Sequence, residues 1–128
     1  MKMITTELPF TVAASSPNFA PYDMRRPIAR TLDIVGERWT ILILRDLVVD
    51  GPRKFQDFER SLDGISPNTL SARLKRLEET GIVERRFYEQ HPPRAEYVLT
   101  KKGEELRPVL RTLFDWGQRH TLYRGFDK

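Results

Sequence analysis

Residues 64–100, GISPNTLSARLKRLEETGIVERRFYEQHPPRAEYVLT, are the stretch that decides the fold. Ser66 is a good N-cap residue for a helix, and Pro67 suits the first helical position because the N–H that it lacks has no partner there. Gly81 favours a left-handed cap at the other end. The stretch therefore begins with one short helix whose two ends are marked in the sequence.

This short helix has an apolar face and a polar face. At 100° per residue, Leu74 and Leu77 lie within about 40° of Leu70. Most of its polar and charged side chains lie opposite these leucines or flank them. Small hydrogen-bonding groups near a helix N-terminus, with cations behind them, suit a helix that enters the major groove of DNA and holds phosphates.

Three helices are predicted before the short helix. Apolar residues recur at helical spacing over residues 28–35, a strongly apolar helix covers residues 39–49, and residues 55–62 place two Phe and one Leu on one face. The turn Asp-Gly-Ile-Ser at residues 63–66 joins the third helix to the short one. Two helices joined by so short a turn predict a helix-turn-helix.

A β-hairpin is predicted after the short helix. In residues 82–88 and again in residues 96–100, aromatic and β-branched residues alternate with charged ones. Residues 90–95 form the turn, where two prolines stiffen the tip and Arg94 can reach the DNA backbone or minor groove. The sequence thus predicts a winged helix-turn-helix, a mainly α fold with a small β-hairpin (α+β). The candidate DNA-binding residues are Ser66, Asn68, Thr69, Ser71, Arg73, Lys75, Arg76 and Arg94.

An apolar stripe runs along a last predicted helix, which begins near residue 101. Pro108 is expected to kink this helix because it lacks a backbone N–H. The apolar stripes at the two ends of the domain exceed what one small core can bury. We therefore expect the flanking helices to form a homodimer. The candidate interface residues are Ile28, Leu106, Leu110, Leu113 and Trp116.

The 128 residues suffice for one compact domain and not for two. Residues 1–24 contain three prolines and no sustained hydrophobic period, which predicts a flexible N-terminal arm. Residues 25–128 are predicted to form the winged helix-turn-helix domain with its C-terminal dimerisation helix. Glu7 and Pro9 interrupt the apolar part of the arm, which argues against a signal peptide. We expect a cytoplasmic protein without membrane contact, associated with the nucleoid when bound to DNA.

Composition also limits the chemistry of this chain. There is no Cys, which excludes disulfides, thiolate metal sites and thiol redox sensing. Two His without Cys make a weak metal site, and no nucleophile, base and orienting residue are suggested by spacing. We therefore predict no enzyme activity, no metal and no cofactor. The net charge of +4 only slightly favours an acidic partner such as DNA.

Two classes of function remain open. A polar helix face is most often plain solvated surface, but together with a preceding helix and a basic hairpin it favours DNA binding. The alternative is a winged-helix protein-protein interaction module that does not bind DNA and docks a partner on its apolar helices. Retention on DNA that falls steeply with salt would distinguish the first class from the second.

Several segments resemble the HxlR family of bacterial winged helix-turn-helix transcriptional regulators. They are RPIARTLDIVGERWTILILRDL, RKFQDFERSLDGISPNTLSARLKRLEETGIVERRFY and PPRAEYVLTKKGEEL, followed by Trp116. The resemblance implies a homodimer that binds a palindromic operator in double-stranded DNA. It further implies that residues 67–79 are the recognition helix and residues 85–97 the wing.

One position departs from the family pattern. Family members that sense oxidants or electrophiles often carry a Cys immediately before the Pro that opens the first helix, and Arg26 occupies that position here. The resemblance therefore does not imply thiol sensing for this chain. A non-covalent small-molecule effector remains compatible with the sequence, and we expect it near Trp39 and the first helices.

Overall fold

The computed structural model describes residues 23–123 of the chain. These residues form six helices and one two-stranded antiparallel sheet. The described residues divide into two compact units, residues 23–37 and 38–123. Most of the predicted N-terminal arm, residues 1–22, lies outside the described residues. The elements in chain order are α1 (Pro27–Val35), α2 (Arg38–Asp50), α3 (Phe55–Ser61), α4 (Pro67–Glu79), β1 (Val83–Gln90), β2 (Pro93–Leu99), α5 (Lys101–Glu104) and α6 (Arg107–His120).

Helix α1 belongs to the first unit. Pro27 lies in its first turn, where the helical pattern requires no backbone N–H. At the other end, the N–H of Gly36 donates to the carbonyl oxygen of Leu32 at 2.7 Å. Ile28 and Leu32, which lie about one helical turn apart, remain 56% and 49% exposed. Helix α1 therefore has an apolar face that is only partly covered.

The core of the second unit lies between α2, α3, α4 and the base of the hairpin. The leucine face predicted for α4 is fully buried in it. Burying one such side chain stabilises the fold by about 1.5–3 kcal/mol, so this face determines which side of α4 remains outside. The largest fully buried side chains are Phe58, Ile43, Leu44, Leu47, Leu62, Leu70, Leu74, Leu77 and Val83.

The turn between α3 and α4 gives the helix-turn-helix its shape. Gly64 has a φ of 92°, a backbone conformation that residues with a side chain rarely adopt. The N–H of Ile65 donates to the carbonyl oxygen of Leu62 at 3.1 Å and closes the turn. Helix α4 then begins as predicted, because the Ser66 hydroxyl oxygen accepts a hydrogen bond from the N–H of Thr69 at 3.1 Å.

Helix α4 also ends as its sequence predicts. Gly81 has a φ of 79°, and its N–H donates to the carbonyl oxygen of Glu78 at 3.1 Å. The next N–H, that of Ile82, donates to the carbonyl oxygen of Leu77 at 2.9 Å. These two bonds form a Schellman motif, which satisfies the last carbonyl groups of the helix and turns the chain into β1.

The hairpin is longer at its tip than predicted. Strand pairing continues outward through Glu89 with Arg94 and Gln90 with Pro93, so the turn is shorter than the predicted residues 90–95. Proline is tolerated in this ladder because Pro93 is the first residue of its strand. The register changes between residues 87 and 89, which marks a β-bulge on β1.

The C-terminal helix is not one kinked helix, so that part of the prediction is wrong. The chain forms the short α5, and α6 begins anew at Arg107. Pro108 lies in the first turn of α6, where the helical pattern requires no backbone N–H. A proline that would break a helix in its interior is well placed at the start of a new one.

Candidate DNA-binding surface

The polar face of α4 faces solvent. Its three leucines are at most 1% exposed, whereas the residues predicted to contact DNA lie outside the core. Thr69 and Arg73 are half-buried. The exposed members of the predicted set on this helix and its N-cap are Ser66, Asn68, Ser71, Lys75 and Arg76. The structure thus brings these candidates together on and beside one helix face, as the spacing predicts.

The polar residues in the N-terminal turn of α4 fall into two groups, those whose side chains are hydrogen-bonded and those whose side chains are not. The Ser66 hydroxyl accepts from the backbone of Thr69 and donates to the Thr69 hydroxyl oxygen at 2.9 Å, so both side chains take part in the helix cap. Within residues 23–123, the side chains of Asn68 and Ser71 make no hydrogen bond. Their polar groups are exposed and available to a ligand.

Lys75 is the cation of α4 that is most open to an anion. It is exposed, and no carboxylate in the described part of the chain forms an ion pair with it. It lies one helical turn after Ser71 and two turns after Asn68. A polar N-terminal turn followed by a lysine matches the order in which a groove-binding helix meets base edges and then phosphates.

The wing carries its positive charges in ion pairs. Arg94, predicted to meet DNA, places its Nε 2.8 Å from Oε1 of Glu89 on the facing strand. Arg85 of β1 places its Nε 3.2 Å from Oε2 of Glu78 on α4. Arg85 is not among the residues predicted individually to contact DNA, because sequence spacing alone could not place it beside α4.

Two aromatic side chains also lie on β1. Phe87 and Tyr88 are 47% and 45% exposed. The guanidinium carbon of Arg85 lies 5.7 Å from the ring centre of Phe87, and Nζ of Lys54 lies 5.1 Å from that of Tyr88. Cations over aromatic faces hold both partners near the surface of the strand. The wing therefore presents a mixed aromatic and basic surface.

A buried carboxylate ties α2 to α3 and to the wing. The side chain of Asp46 accepts from Arg45 Nη2 at 2.9 Å and from the Ser61 hydroxyl, and Nη2 of Arg53 lies 3.7 Å away. The backbone of Arg53 pairs with Tyr97 of β2 through N–H···O bonds of 3.0 and 2.7 Å. Arg53 thus links the carboxylate to the hairpin, a role that no local sequence pattern indicates.

Tyr97 anchors the base of the wing. Its ring lies edge-on to that of Phe58, with 6.2 Å between ring centres. Burial raises the pKa of Tyr97 above its usual value, so its hydroxyl stays protonated at neutral pH. The contact joins β2 to a fully buried residue of α3, which limits how far the wing can move relative to the helix-turn-helix.

Helix α6 leaves an apolar face uncovered. None of its residues is buried, although Leu110 of the helix and Leu106 at its N-cap are half-buried. Nη1 of Arg107 donates to the carbonyl oxygen of Val48 at 3.1 Å and attaches the start of the helix to α2. The large apolar side chains that stay 44–58% exposed on α6 are Val109, Leu113, Phe114 and Trp116.

An open groove of about 480 Å³ lies beside Trp39. Arg38 lies over the Trp39 ring, with 5.0 Å between its guanidinium carbon and the ring centre. The groove also reaches Arg45 and Gly64, so it touches both α2 and the turn before α4. The groove therefore lies in the region where we expect a small-molecule effector.

No helix within residues 23–123 is long and apolar enough to cross a membrane. Within the same residues, no group of three or more His, Cys, Asp or Glu side chains is arranged to hold a metal ion.

Residues 34–123 match the family model described as HxlR-like helix-turn-helix. The chain belongs to this family. Among its relatives is an uncharacterized HTH-type transcriptional regulator of Halalkalibacterium halodurans, 39% identical over 94 residues, which cover 73% of this chain and 83% of the relative. The uncharacterized HTH-type transcriptional regulator YdeP of Bacillus subtilis is 37% identical over 94 residues, 73% of each chain.

Two solved structures share the fold of this chain. The redox regulator HypR in its oxidized form matches with a TM-score of 0.70 at 34% identity, over 76% of this chain and 99% of that chain. The reduced form of the transcriptional regulator YodB from B. subtilis matches with a TM-score of 0.64 at 30% identity, over 86% of this chain and 100% of that chain. The prediction of a winged helix-turn-helix transcription regulator of the HxlR type is thus confirmed.

Proposed function

We propose that this HxlR-type regulator is a homodimer that binds a palindromic operator sequence-specifically. Helix α4 lies in the major groove of each half-site, and the wing, residues 85–97, lies on the backbone or in the minor groove. The observation that carries the proposal is the exposed polar face of α4, whose Asn68 and Ser71 side chains have no hydrogen-bond partner within residues 23–123. Such groups are suited to base edges.

Some residues of α4 and the wing contact bases, and others contact phosphates. Asn68, Thr69 and Ser71 contact base edges, since they lie early on the helix. Ser66 holds the first turn of α4 through its cap and contributes at the groove entrance. The cations meet phosphates, which position the protein on the duplex without reading its sequence. These phosphate-binding residues are Lys75, Arg76 and Arg94, while Arg73 serves either role.

The dimer forms through the apolar faces of the flanking helices. Ile28 on α1 and Leu113 and Trp116 on α6 are each more than half exposed, and uncovered apolar side chains favour association. Half-buried Leu106 and Leu110 border the α6 part of this interface. Two-fold symmetry then pairs the two α4 helices with two inverted half-sites.

The regulator works in the cytoplasm by binding alone, without catalysis, metal or cofactor. Residues 25–128 supply the winged helix-turn-helix and its C-terminal dimerisation helix. A small-molecule effector binds beside Trp39, in the groove that also touches the turn before α4. Fragment screening by NMR tests this site: compounds that weaken DNA binding should shift the Trp39 indole resonance, and compounds that act without doing so would contradict it.

Salt dependence of DNA binding tests the function as a whole. Each phosphate contact should contribute about 0.9 to the slope of log affinity against log salt, so a dimer with several contacts should lose affinity steeply. Affinity should also be greater for a selected operator than for random DNA. If the folded chain shows no DNA retention at low salt, the better account is the protein-protein interaction module, which docks a partner on its apolar helices.

A further inference from the structure

The positively charged side chains of the wing form ion pairs within the chain. Its three arginines each form an ion pair with a glutamate, at 2.8–3.2 Å. In a wing that only attracts phosphate these carboxylates would weaken binding, because each one offsets a positive charge and repels DNA. The pairs are Arg85 with Glu78, Arg86 with Glu96, and Arg94 with Glu89.

The pair nearest the tip is built into the strand register. Glu89 and Arg94 are direct cross-strand neighbours, so their side chains leave the hairpin side by side. Both side chains are more than half exposed, at 53% and 56%. Exposed ion pairs are weak, and a phosphate can replace the carboxylate of Glu89 at modest cost once it is held close to Arg94.

We propose that Glu89 masks Arg94, so that Arg94 meets a phosphate on the operator but does not contribute to non-specific DNA binding. This inference rests on the proposed function. On the operator, base contacts of α4 hold a backbone phosphate beside the wing, and that phosphate displaces Glu89 from Arg94. On random DNA no phosphate is held there, so the ion pair stays closed and the wing adds little affinity.

The substitution Glu89→Gln tests this role. It removes the carboxylate charge and leaves Arg94 without a charged partner on the facing strand. Affinity for random duplex DNA should rise about 5-fold. The slope of log affinity against log salt for this DNA should steepen by about 2 per dimer, because each protomer adds one phosphate contact. Operator affinity should rise at least as much, because operator binding no longer has to break the ion pair, but its salt slope should stay unchanged because that phosphate contact already exists in the parent.

Glu84→Gln is the matched control. Glu84 is exposed on the same strand, and no arginine or lysine in residues 23–123 forms an ion pair with it. The two variants therefore change net charge equally, but only Glu89→Gln releases an arginine. Adding Arg94→Gln to Glu89→Gln should abolish the gain on random DNA if the effect acts through Arg94.

The measurement is fluorescence anisotropy of the full chain with a labelled operator, chosen by selection from random duplexes, and with a scrambled duplex of equal length. Equal behaviour of Glu89→Gln and Glu84→Gln on both DNAs would overturn the role of Glu89. A salt slope that steepens equally on operator and scrambled DNA, or on neither, would overturn it as well. A parent protein that binds neither duplex would instead contradict the proposed function, so the two failures are distinguishable.

Discussion

Asn68 can serve recognition alone, whereas the neighbouring Thr69 serves both the helix cap and recognition. Its side chain is exposed and makes no hydrogen bond within the described residues, one position before Thr69, whose hydroxyl belongs to the helix cap. An asparagine can make two hydrogen bonds with an adenine in the major groove. The loss of those bonds should affect sequence discrimination and leave the fold intact.

We therefore predict that Asn68→Ala lowers operator affinity by about 1–3 kcal/mol per half-site and changes affinity for random DNA little. Anisotropy titrations on both duplexes measure the difference. Gln56→Ala is the matched control, because Gln56 is an exposed amide on α3, outside α4 and the wing. Equal affinities of the parent and a folded Asn68→Ala protein for the operator would refute this contact.

At the scale of elements, the cap of α4 links stability to recognition. Ser66 satisfies the N–H of Thr69, and the leucine face then holds the helix in the core. If the cap is lost, the first turn frays, although the residues that contact DNA remain present. A cap variant should thus weaken both folding and DNA binding.

Ser66→Ala should lower the free energy of unfolding by about 1 kcal/mol, whereas Ser66→Asp should retain most of it because Asp also accepts from the helix N–H. Ser71→Ala provides the contrast: Ala is the better helix former, so stability should not fall, while operator affinity should. Urea unfolding at fixed protein concentration measures the stabilities. A Ser66→Ala protein as stable as the parent would show that the cap is unimportant.

For the whole molecule, the uncovered faces of α1 and α6 require an explanation. Leu113 and Trp116 are 51% and 56% exposed, so an Asp at either position can be solvated in a folded monomer. We predict that the parent has twice the 15.1 kDa chain mass in solution and that Leu113→Asp and Trp116→Asp yield folded monomers. Light scattering after size exclusion measures the mass, with Gln118→Asp as an exposed control on α6. Parent protein that is monomeric at micromolar concentration would contradict the dimer.

This chain contains no Cys, although its fold is similar to that of the redox regulator HypR. Diamide forms disulfides and has no thiol to act on here. We predict that diamide, followed or not by dithiothreitol, leaves the operator affinity of the purified protein unchanged in anisotropy titrations. A loss of affinity that dithiothreitol restores would show this reasoning to be wrong.

Local patterns in the sequence were sufficient for much of the fold. The bounds of α4 follow from Ser66, Pro67 and Gly81, because capping depends on neighbouring residues. The interruption at Pro108 was misjudged, since the same missing N–H breaks a helix interior but suits a first turn. Contacts between distant residues were beyond sequence reasoning: the bond from Ser61 to the Asp46 carboxylate, and the backbone pairing of Arg53 with Tyr97, depend on how elements meet.

Selection of bound duplexes from a random library by the purified chain tests the central claim most directly. A homodimer with one α4 in each half-site should enrich an inverted repeat whose half-site centres lie about 10–10.5 base pairs apart, or a multiple of that distance. Two chains should bind each enriched duplex, and the Asn68→Ala protein should enrich it poorly. Enrichment of no sequence, or of a single unrepeated site bound by one chain, would contradict the account.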